Sequence, residues 1–408
     1  MHKVRVIFRD GDERLHPFMK SWLDLIDNDP QANMHFTNMF LEFPENAKGS
    51  LIDQGITDYR WLIRVLDLVA REAPEYIHNG PELTSVPISL VLDYFMNTPG
   101  GMNAFMYDKI NAYIYKTLES WGNYLTTTES AGVLNEGPRG WFSEDAIAMF
   151  DKRAGTPFEE MYLCDRSLPH WGFDSWDHFF TRPLCPDARP TDRNSNHIIS
   201  PCESTTFRLA HDVKATDTFW LKKEIPLFSY PYSLVHMFKH DNKYVKAFEG
   251  GTVYQAYLSP FDYHRWHSPV DIIPSTYRAA VSGSGDSNGA DAIVYSQSFL
   301  TAVAARAVFY IRSTSPDIGL LAFMAIGMVE VSTCHVTIRE GDHIERGDEL
   351  GMFHFGGSSQ CMVFNKETEL TWLQGLVDEG GNLVQDKMVY VNSGIAIAKR
   401  VGTVESID

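Results

Sequence analysis

The apolar residues in about the first 125 positions have the spacing of amphipathic helices. Leu62, Val65, Leu66 and Val69 follow the i, i+3, i+4, i+7 rule, which places them on one helical face. After a break at residues 98–101, the same spacing continues through Met102, Met106, Ile110, Tyr113, Ile114 and Trp121. The pattern predicts helices whose apolar stripes form core, although some of these side chains would also suit the wall of a substrate pocket.

The pattern changes beyond residue 195, where short segments rich in β-branched and aromatic residues alternate with Gly, Pro and Asp. These segments predict strands at residues 252–258, 292–295, 307–311, 320–331, 335–338, 388–391 and 395–398. The polar stretch 123–139 is a candidate linker between the two halves, and residues 282–289 have the composition of a flexible surface loop or lid. We therefore expect a helical region followed by a mainly β region.

Charge narrows the classes of partner. The 408 residues include 35 Lys and Arg against 53 Asp and Glu, a formal net charge of −18. A chain this acidic repels phosphate backbones and anionic lipid surfaces, so neither nucleic acid nor a membrane is an expected partner.

The lack of a recognisable targeting signal and the usage of cysteine favour a cytoplasmic location. The first 30 residues contain no apolar segment of the kind that a secretory signal requires, and the longest uncharged apolar run, residues 318–329, is too short to span a bilayer. The five cysteines are odd in number, scattered and without a Cys-x-x-Cys pair. That usage argues against a disulfide framework and against a zinc ribbon.

The segment Phe355-Gly356-Gly357-Ser358-Ser359 interrupts an otherwise strand-like passage. By itself it is consistent with a tight turn or a bulge. It also suits a specific reaction, because two glycines let the backbone adopt a strained conformation in which the Ser358 hydroxyl approaches the carbonyl carbon of Gly357. The ester formed by that N-to-O acyl shift can eliminate to dehydroalanine, which hydrolyses to a pyruvoyl group and ammonia.

Two further segments carry groups that such a reaction needs. His264 and His267 lie three residues apart between Pro260 and Pro269, and histidine is the usual base that activates a hydroxyl near neutral pH. Glu203 is a candidate for the acid that orients a histidine base. Structural histidines and a solvated or N-capping glutamate are the alternatives, and a metal site lacks a third ligand at recognisable spacing.

Five motifs follow one another along about residues 160–364. They are Phe179-Phe180-Thr181-Arg182 with Ala188-Arg189-Pro190, Ser200-Pro201-Cys202-Glu203, His264-Arg265-Trp266-His267-Ser268-Pro269, Glu340-Gly341-Asp342 with Gly347-Asp348-Glu349-Leu350-Gly351, and Gly357-Ser358-Ser359. In this order they resemble the motifs of the pyruvoyl-dependent phosphatidylserine decarboxylase family. One motif alone is weak evidence, but their co-occurrence is strong.

The resemblance implies an α+β fold, with a helical N-terminal domain at residues 1–160 and a mainly antiparallel β catalytic domain at residues 161–408. It implies self-cleavage between Gly357 and Ser358 into a large chain, 1–357, and a small chain, 358–408, that stays embedded. Ser358 would become a pyruvoyl group, so no pyridoxal phosphate is required. By the same resemblance His267 is the base for cleavage, oriented by Glu203, and His264 is the acid that reprotonates the α-carbon of the substrate.

Positions at which this sequence departs from the family pattern indicate one branch of that family. Phospholipid enzymes usually carry Asp where this chain has Glu203, and Asn-Glu-Arg where it has Ala304-Ala305-Arg306. These features and the helical N-terminal region resemble the fungal branch that decarboxylates aromatic L-amino acids. The implied reaction converts L-tryptophan to tryptamine and CO2 through a Schiff base to the pyruvoyl group.

Two other functions remain open from the sequence. One is a phosphatidylserine decarboxylase that makes phosphatidylethanolamine, for which the acidic, anchorless sequence offers no evident membrane contact. The other is a non-enzymatic binding protein that keeps the fold, for which Glu203 in place of Asp is the only indication. A denaturing gel that shows a processed chain would favour an enzyme.

Overall fold

A computed structural model describes most of the chain. The described residues are 15–42, 58–78, 86–96, 98–217, 232–280, 301–302, 304–327, 333–339, 341–356 and 358–402. The predicted strand at 292–295 and the predicted loop at 282–289 lie outside them. No helix within these ranges combines the length and the apolar character needed to cross a bilayer.

Helices occupy the first part of the chain, as the apolar spacing predicts. The α-helices are α1 (Pro17–Asn28), α2 (Pro30–Leu41), α3 (Tyr59–Val69), α4 (Pro87–Met96), α5 (Pro99–Met106), α6 (Asp108–Leu125), α7 (Glu144–Ala154), α8 (Phe158–Met161), α9 (Trp176–Phe180), α10 (Leu234–Met237) and α11 (Asn242–Phe248). Helix α3 shows why they form, since the Asp58 side chain accepts a hydrogen bond from the Trp61 amide and Leu62, Val65 and Leu66 are buried.

The prediction of one continuous apolar stripe from Met102 to Trp121 is wrong at its start. Met102 is 41% exposed and Met106 is 71% exposed, whereas Trp121 is fully buried. Tyr107 has extended backbone angles between α5 and α6, so the two helices are separate and do not share one face.

The predicted linker at residues 123–139 is also wrong. Helix α6 continues to Leu125, and a 3-10 helix follows at Thr128–Val133. Ser130 and Leu134 are buried, and the Ser130 hydroxyl donates to the Leu125 carbonyl and accepts from the Trp176 amide. The stretch is therefore partly helical and packed, and Ser130 satisfies buried backbone groups instead of facing solvent.

Antiparallel sheets form the second part, which confirms the α+β class. The strands are β1 (His197–Ile199), β2 (Ser204–Ala210), β3 (Thr252–Leu258), β4 (Arg265–His267), β5 (Ile272–Ala280), β6 (Arg306–Ser313), β7 (Leu320–Gly327), β8 (Cys334–Val336), β9 (Glu349–Phe353), β10 (Ser358–Phe364), β11 (Thr368–Trp372), β12 (Met388–Val389) and β13 (Gly394–Arg400). They pair in the orders β12-β2-β3-β10-β7-β6-β5, β1-β13-β11 and β4-β9-β8.

Strand β10 lies at the centre of the seven-stranded sheet and is buried on both faces. It pairs with β3 on one side and with β7 on the other. Its residues alternate between two hydrophobic clusters: Met362 and Phe364 belong to one, Cys361 and Val363 to the other. A strand with both faces covered is held in one register, which fixes where Ser358 begins it.

Candidate active site

Three of the sequence-predicted segments meet at one end of the seven-stranded sheet. Ser358, the first residue of β10, is opposite Leu258, the last residue of β3. Strand β2 pairs with β3 through Thr205 and Tyr257, so Glu203, which directly precedes β2, comes to the same end. The segment that carries the two histidines leaves β3 here.

Ser358 is enclosed and its hydroxyl is unsatisfied. The residue is fully buried, and its Oγ has no hydrogen-bond partner in the described part of the chain. Before it, Phe355 has φ +33° and Gly356 has φ +111°, both in the left-handed region. Gly357, the other predicted cleavage-site residue, lies outside the described residues. A buried hydroxyl without a partner, after a strained turn, is the arrangement that the acyl-shift hypothesis requires.

Two connections link the seven-stranded sheet to the sheet β4-β9-β8. Residues 259–264 connect β3 to β4, and residues 354–357 connect β9 to β10. Strands β3 and β10 pair at one end of these connections, and β4 and β9 pair at the other. The Phe353 amide donates to the His264 carbonyl at 3.0 Å, which ties the histidine segment to the segment that leads into Ser358.

The His264 imidazole is buried in an apolar setting. Its ring is stacked on Phe180 with centroids 3.8 Å apart, and neither ring nitrogen has a hydrogen-bond partner among the described residues. Burial, together with the positive charge of Arg182, holds the pKa of His264 well below its usual range. The imidazole is therefore neutral at physiological pH.

Both nitrogens of His267 are engaged. Nδ1 lies 2.7 Å from the Gly347 carbonyl oxygen, and Nε2 lies 2.9 Å from the Tyr263 hydroxyl. Because a carbonyl can only accept, Nδ1 carries the proton and Nε2 accepts from Tyr263. Burial lowers the pKa of His267 and raises the pKa of Tyr263, so the ring stays neutral and the phenol keeps its proton.

Glu203 contacts an arginine instead of His267. Its carboxylate accepts from Arg189 Nη2 at 2.5 Å and Nε at 3.1 Å, and from the Val391 amide at 3.3 Å. Burial raises the pKa of Glu203 despite this ion pair. The expected direct orientation of His267 by Glu203 is therefore corrected: Gly347 and Tyr263 hold the ring, and Glu203 joins the segment before β2 to the segment after β12.

Two arginines bind residues 259–264, the connection that leads from β3 to the two histidines. Arg182, fully buried, donates from Nη2 to the carbonyls of Phe261 and Asp262, both at 2.8 Å. Arg153 in α7 forms a two-pronged ion pair with Asp262 at 2.7 Å for each contact. Arg182 was predictable only as part of a sequence motif. Arg153 was not predictable, because no local pattern connects it to Asp262, which lies 109 positions later.

No group of three or more His, Cys, Asp or Glu side chains in the ranges that the structure describes could hold a metal ion. All five cysteines have free thiols.

Comparison with known proteins gives consistent matches. Two family models, both described as phosphatidylserine decarboxylase, match residues 16–150 and 176–389. The chain is 44% identical over 322 residues to the decarboxylase iboD of Amanita muscaria, covering 74% of this chain and 90% of that protein. It is 33% identical over 400 residues to the L-tryptophan decarboxylase of Psilocybe cubensis, covering 92% and 84%. A phosphatidylserine decarboxylase proenzyme of Clostridium perfringens is 31% identical over 210 residues, covering 51% and 66%.

Proposed function

This chain belongs to the phosphatidylserine decarboxylase family, and from that premise we propose that it is a pyruvoyl-dependent decarboxylase of aromatic L-amino acids, with L-tryptophan converted to tryptamine and CO2. Similarity to an L-tryptophan decarboxylase along 92% of the chain supports the substrate class. The structural observation that carries the proposal is the buried hydroxyl of Ser358 at the start of the central strand, which has no hydrogen-bond partner among the described residues.

Maturation in this proposal begins with the Ser358 hydroxyl. Its oxygen bonds to the carbonyl carbon of Gly357, the bond from that carbon to the Ser358 nitrogen breaks, and the nitrogen takes up the hydroxyl proton. A base then takes the Cα proton of Ser358, and elimination across Cα–Cβ breaks the Cβ–O bond and releases the Gly357 carboxylate. Hydrolysis of the resulting dehydroalanine releases ammonia and leaves a pyruvoyl group, which supplies a ketone that accepts electrons as CO2 leaves the substrate. No pyridoxal phosphate takes part.

Two histidines supply the acid–base steps in this proposal. His267 is the proposed base for cleavage, since Nε2 carries a lone pair once the Tyr263 hydroxyl turns away. His264, buried and neutral, is the proposed carrier of the proton that the α-carbon takes up. A substrate carboxylate beside it would raise its pKa and favour the protonated form. Glu203 would act through Arg189 by holding the sheet end in place.

The small chain would remain in the fold after cleavage. Its strands β10 and β12 belong to the seven-stranded sheet, and β11 and β13 pair with each other, while β13 also pairs with β1. These ladders do not depend on the peptide bond before Ser358.

The substrate is tested with purified, processed protein. Separate incubations with L-tryptophan, L-phenylalanine, L-tyrosine and phosphatidylserine vesicles are analysed for amine and CO2 without added pyridoxal phosphate. We expect tryptamine from L-tryptophan, and loss of activity with phenylhydrazine, which captures a ketone. Turnover of the lipid without tryptamine would favour the phosphatidylserine decarboxylase alternative.

The roles of the two histidines are tested by their alanine variants. His267→Ala should block or slow cleavage, because it removes the base for the Ser358 hydroxyl. His264→Ala should still yield two chains and then fail to release amine. A denaturing gel and an amine assay on both variants separate the roles, and the reverse pattern would exchange them.

A further inference from the structure

The Phe355 side chain, three positions before Ser358, packs against the helical part of the molecule. The residue is 6% exposed, and its ring meets Trp121 of α6 edge-on with centroids 5.3 Å apart. Trp121 is fixed in turn, because it is fully buried and its Nε1 donates to the Glu72 carbonyl at 2.9 Å. The turn before Ser358 therefore has a rigid contact outside the sheets.

Gly122 leaves the space that the Phe355 ring occupies. A Cβ added at Gly122 would lie 2.3 Å from Cζ and 2.9 Å from Cε1 of that ring. Real Cβ atoms do not approach so closely, so a larger residue would push the ring away. Glycine inside a helix is destabilising relative to alanine, and α6 carries that cost at the position where Phe355 packs.

The backbone at Phe355 is strained and is held from two sides. A non-glycine residue at φ +33° is strained, and that conformation persists only where its surroundings enforce it. The contact with α6 restrains the Phe355 ring on one side. On the other, His354 Nδ1 lies 2.8 Å from the carboxylate of Asp177 in α9.

We propose that Trp121 and Gly122 form a socket for Phe355, and that the filled socket positions the peptide bond before Ser358 for self-cleavage. This inference rests on the proposed function, since it concerns the acyl shift by which Ser358 matures. The reacting oxygen and carbon must be held close and aligned, and a misplacement of about 1 Å can cost on the order of 100-fold in rate. Trp121, Gly122 and Phe355 are thus positioning residues that do not themselves react.

The test compares two glycine variants. Gly122→Ala adds a methyl group where the ring lies, whereas Gly132→Ala adds one where no heavy atom lies within 4 Å. Cleavage is followed by pulse–chase on denaturing gels. We expect Gly132→Ala to be cleaved at the rate of the unsubstituted chain and Gly122→Ala to be cleaved at least about tenfold more slowly. Equal cleavage rates for the two variants would contradict the proposed role of the socket.

A second pair of variants separates positioning from misfolding. Phe355→Leu leaves α6 intact, shortens the side chain and should also slow cleavage. Combined with Gly122→Ala, it removes the clash, so the double variant should be cleaved faster than Gly122→Ala alone. Cleavage of Phe355→Leu at the normal rate, or a double variant no faster than Gly122→Ala, would contradict the inference. If the unsubstituted chain itself is not cleaved, the proposed function fails first.

Discussion

Two buried glutamines next to the site have opposite environments. Gln360 follows Ser358 by two residues on the same face of β10, opposite Ala256 and Ala325, and neither polar atom of its amide has a partner in the described residues. Gln255 on β3 is equally buried, but it is hydrogen-bonded. A buried amide without a partner costs about 1–3 kcal/mol, a burden more common at functional sites than in ordinary core.

Gln360→Met should therefore stabilise the ligand-free protein, whereas Gln255→Met should destabilise it. The first change removes an unsatisfied amide at nearly constant volume. In the unsubstituted protein the Tyr232 hydroxyl donates to Gln255 Oε1 at 2.5 Å, and Gln255→Met removes that acceptor. Thermal unfolding of both variants in the Ser358→Ala background, which keeps one chain, measures the difference. Destabilisation by both changes to the same extent would show that Gln360 is satisfied in solution.

Residue identities at the site were predictable, but their partners were not. Ser358, His264 and His267 stand in motifs whose chemistry is visible in the sequence. The contact of His267 with Gly347 spans 80 positions, and that of Glu203 with Val391 spans 188. Such pairings depend on how distant segments approach each other, which no local pattern contains.

At the scale of elements, the connection 259–264 is fixed mainly by charge and hydrogen bonding. Asp262 is fully buried and accepts from the Ser259 amide at 2.7 Å as well as from Arg153. Arg182 holds the carbonyls of the same turn. A short irregular segment satisfies only some of its backbone groups internally, so the two arginines supply part of what a strand or helix would provide.

Arg153→Met should destabilise the fold by about 3 kcal/mol, because it leaves the Asp262 carboxylate buried and uncompensated. Arg60→Met is the matched control: its ion pair with Asp27 is exposed, and its loss should cost less than about 1 kcal/mol. Chemical denaturation of both variants in the single-chain Ser358→Ala background compares them. If Arg153→Met lowered the free energy of unfolding as little as Arg60→Met, the ion pair with Asp262 would not be what stabilises residues 259–264.

Helices and strands with a clear local sequence pattern were predictable, whereas irregular segments and the pairing of distant strands were not. The predicted strand 252–258 coincides with β3, because a run of β-branched and aromatic residues is bounded there by Gly251 on one side and Pro260 on the other. The predicted linker failed because polar composition indicates loops only when solvent supplies the partners, and Ser130 finds them in the core. The order of strands in the large sheet had no local signal, since neighbours such as β3 and β10 are about 100 residues apart.

At the scale of the whole molecule, the proposed cleavage before Ser358 would create a new N-terminus while the strand ladders on both sides of β10 remain. Strand β10 is bonded on both sides along its length, and one hydrophobic cluster joins helices such as α6 to the sheets. Cleavage would thus convert one chain into two that share a core, with the new N-terminus already enclosed.

The most direct test of this account is the intact mass of three freshly purified proteins under denaturing conditions. We predict two chains for the unsubstituted protein, with the smaller beginning at residue 358 and carrying a pyruvoyl group. Ser358→Ala should remain a single chain of 46.3 kDa without activity. Ser359→Ala, the control, should still be cleaved, because that hydroxyl faces Gln255 on the other side of the strand. A small chain from Ser358→Ala, or a single unmodified chain from the unsubstituted protein, would contradict the account.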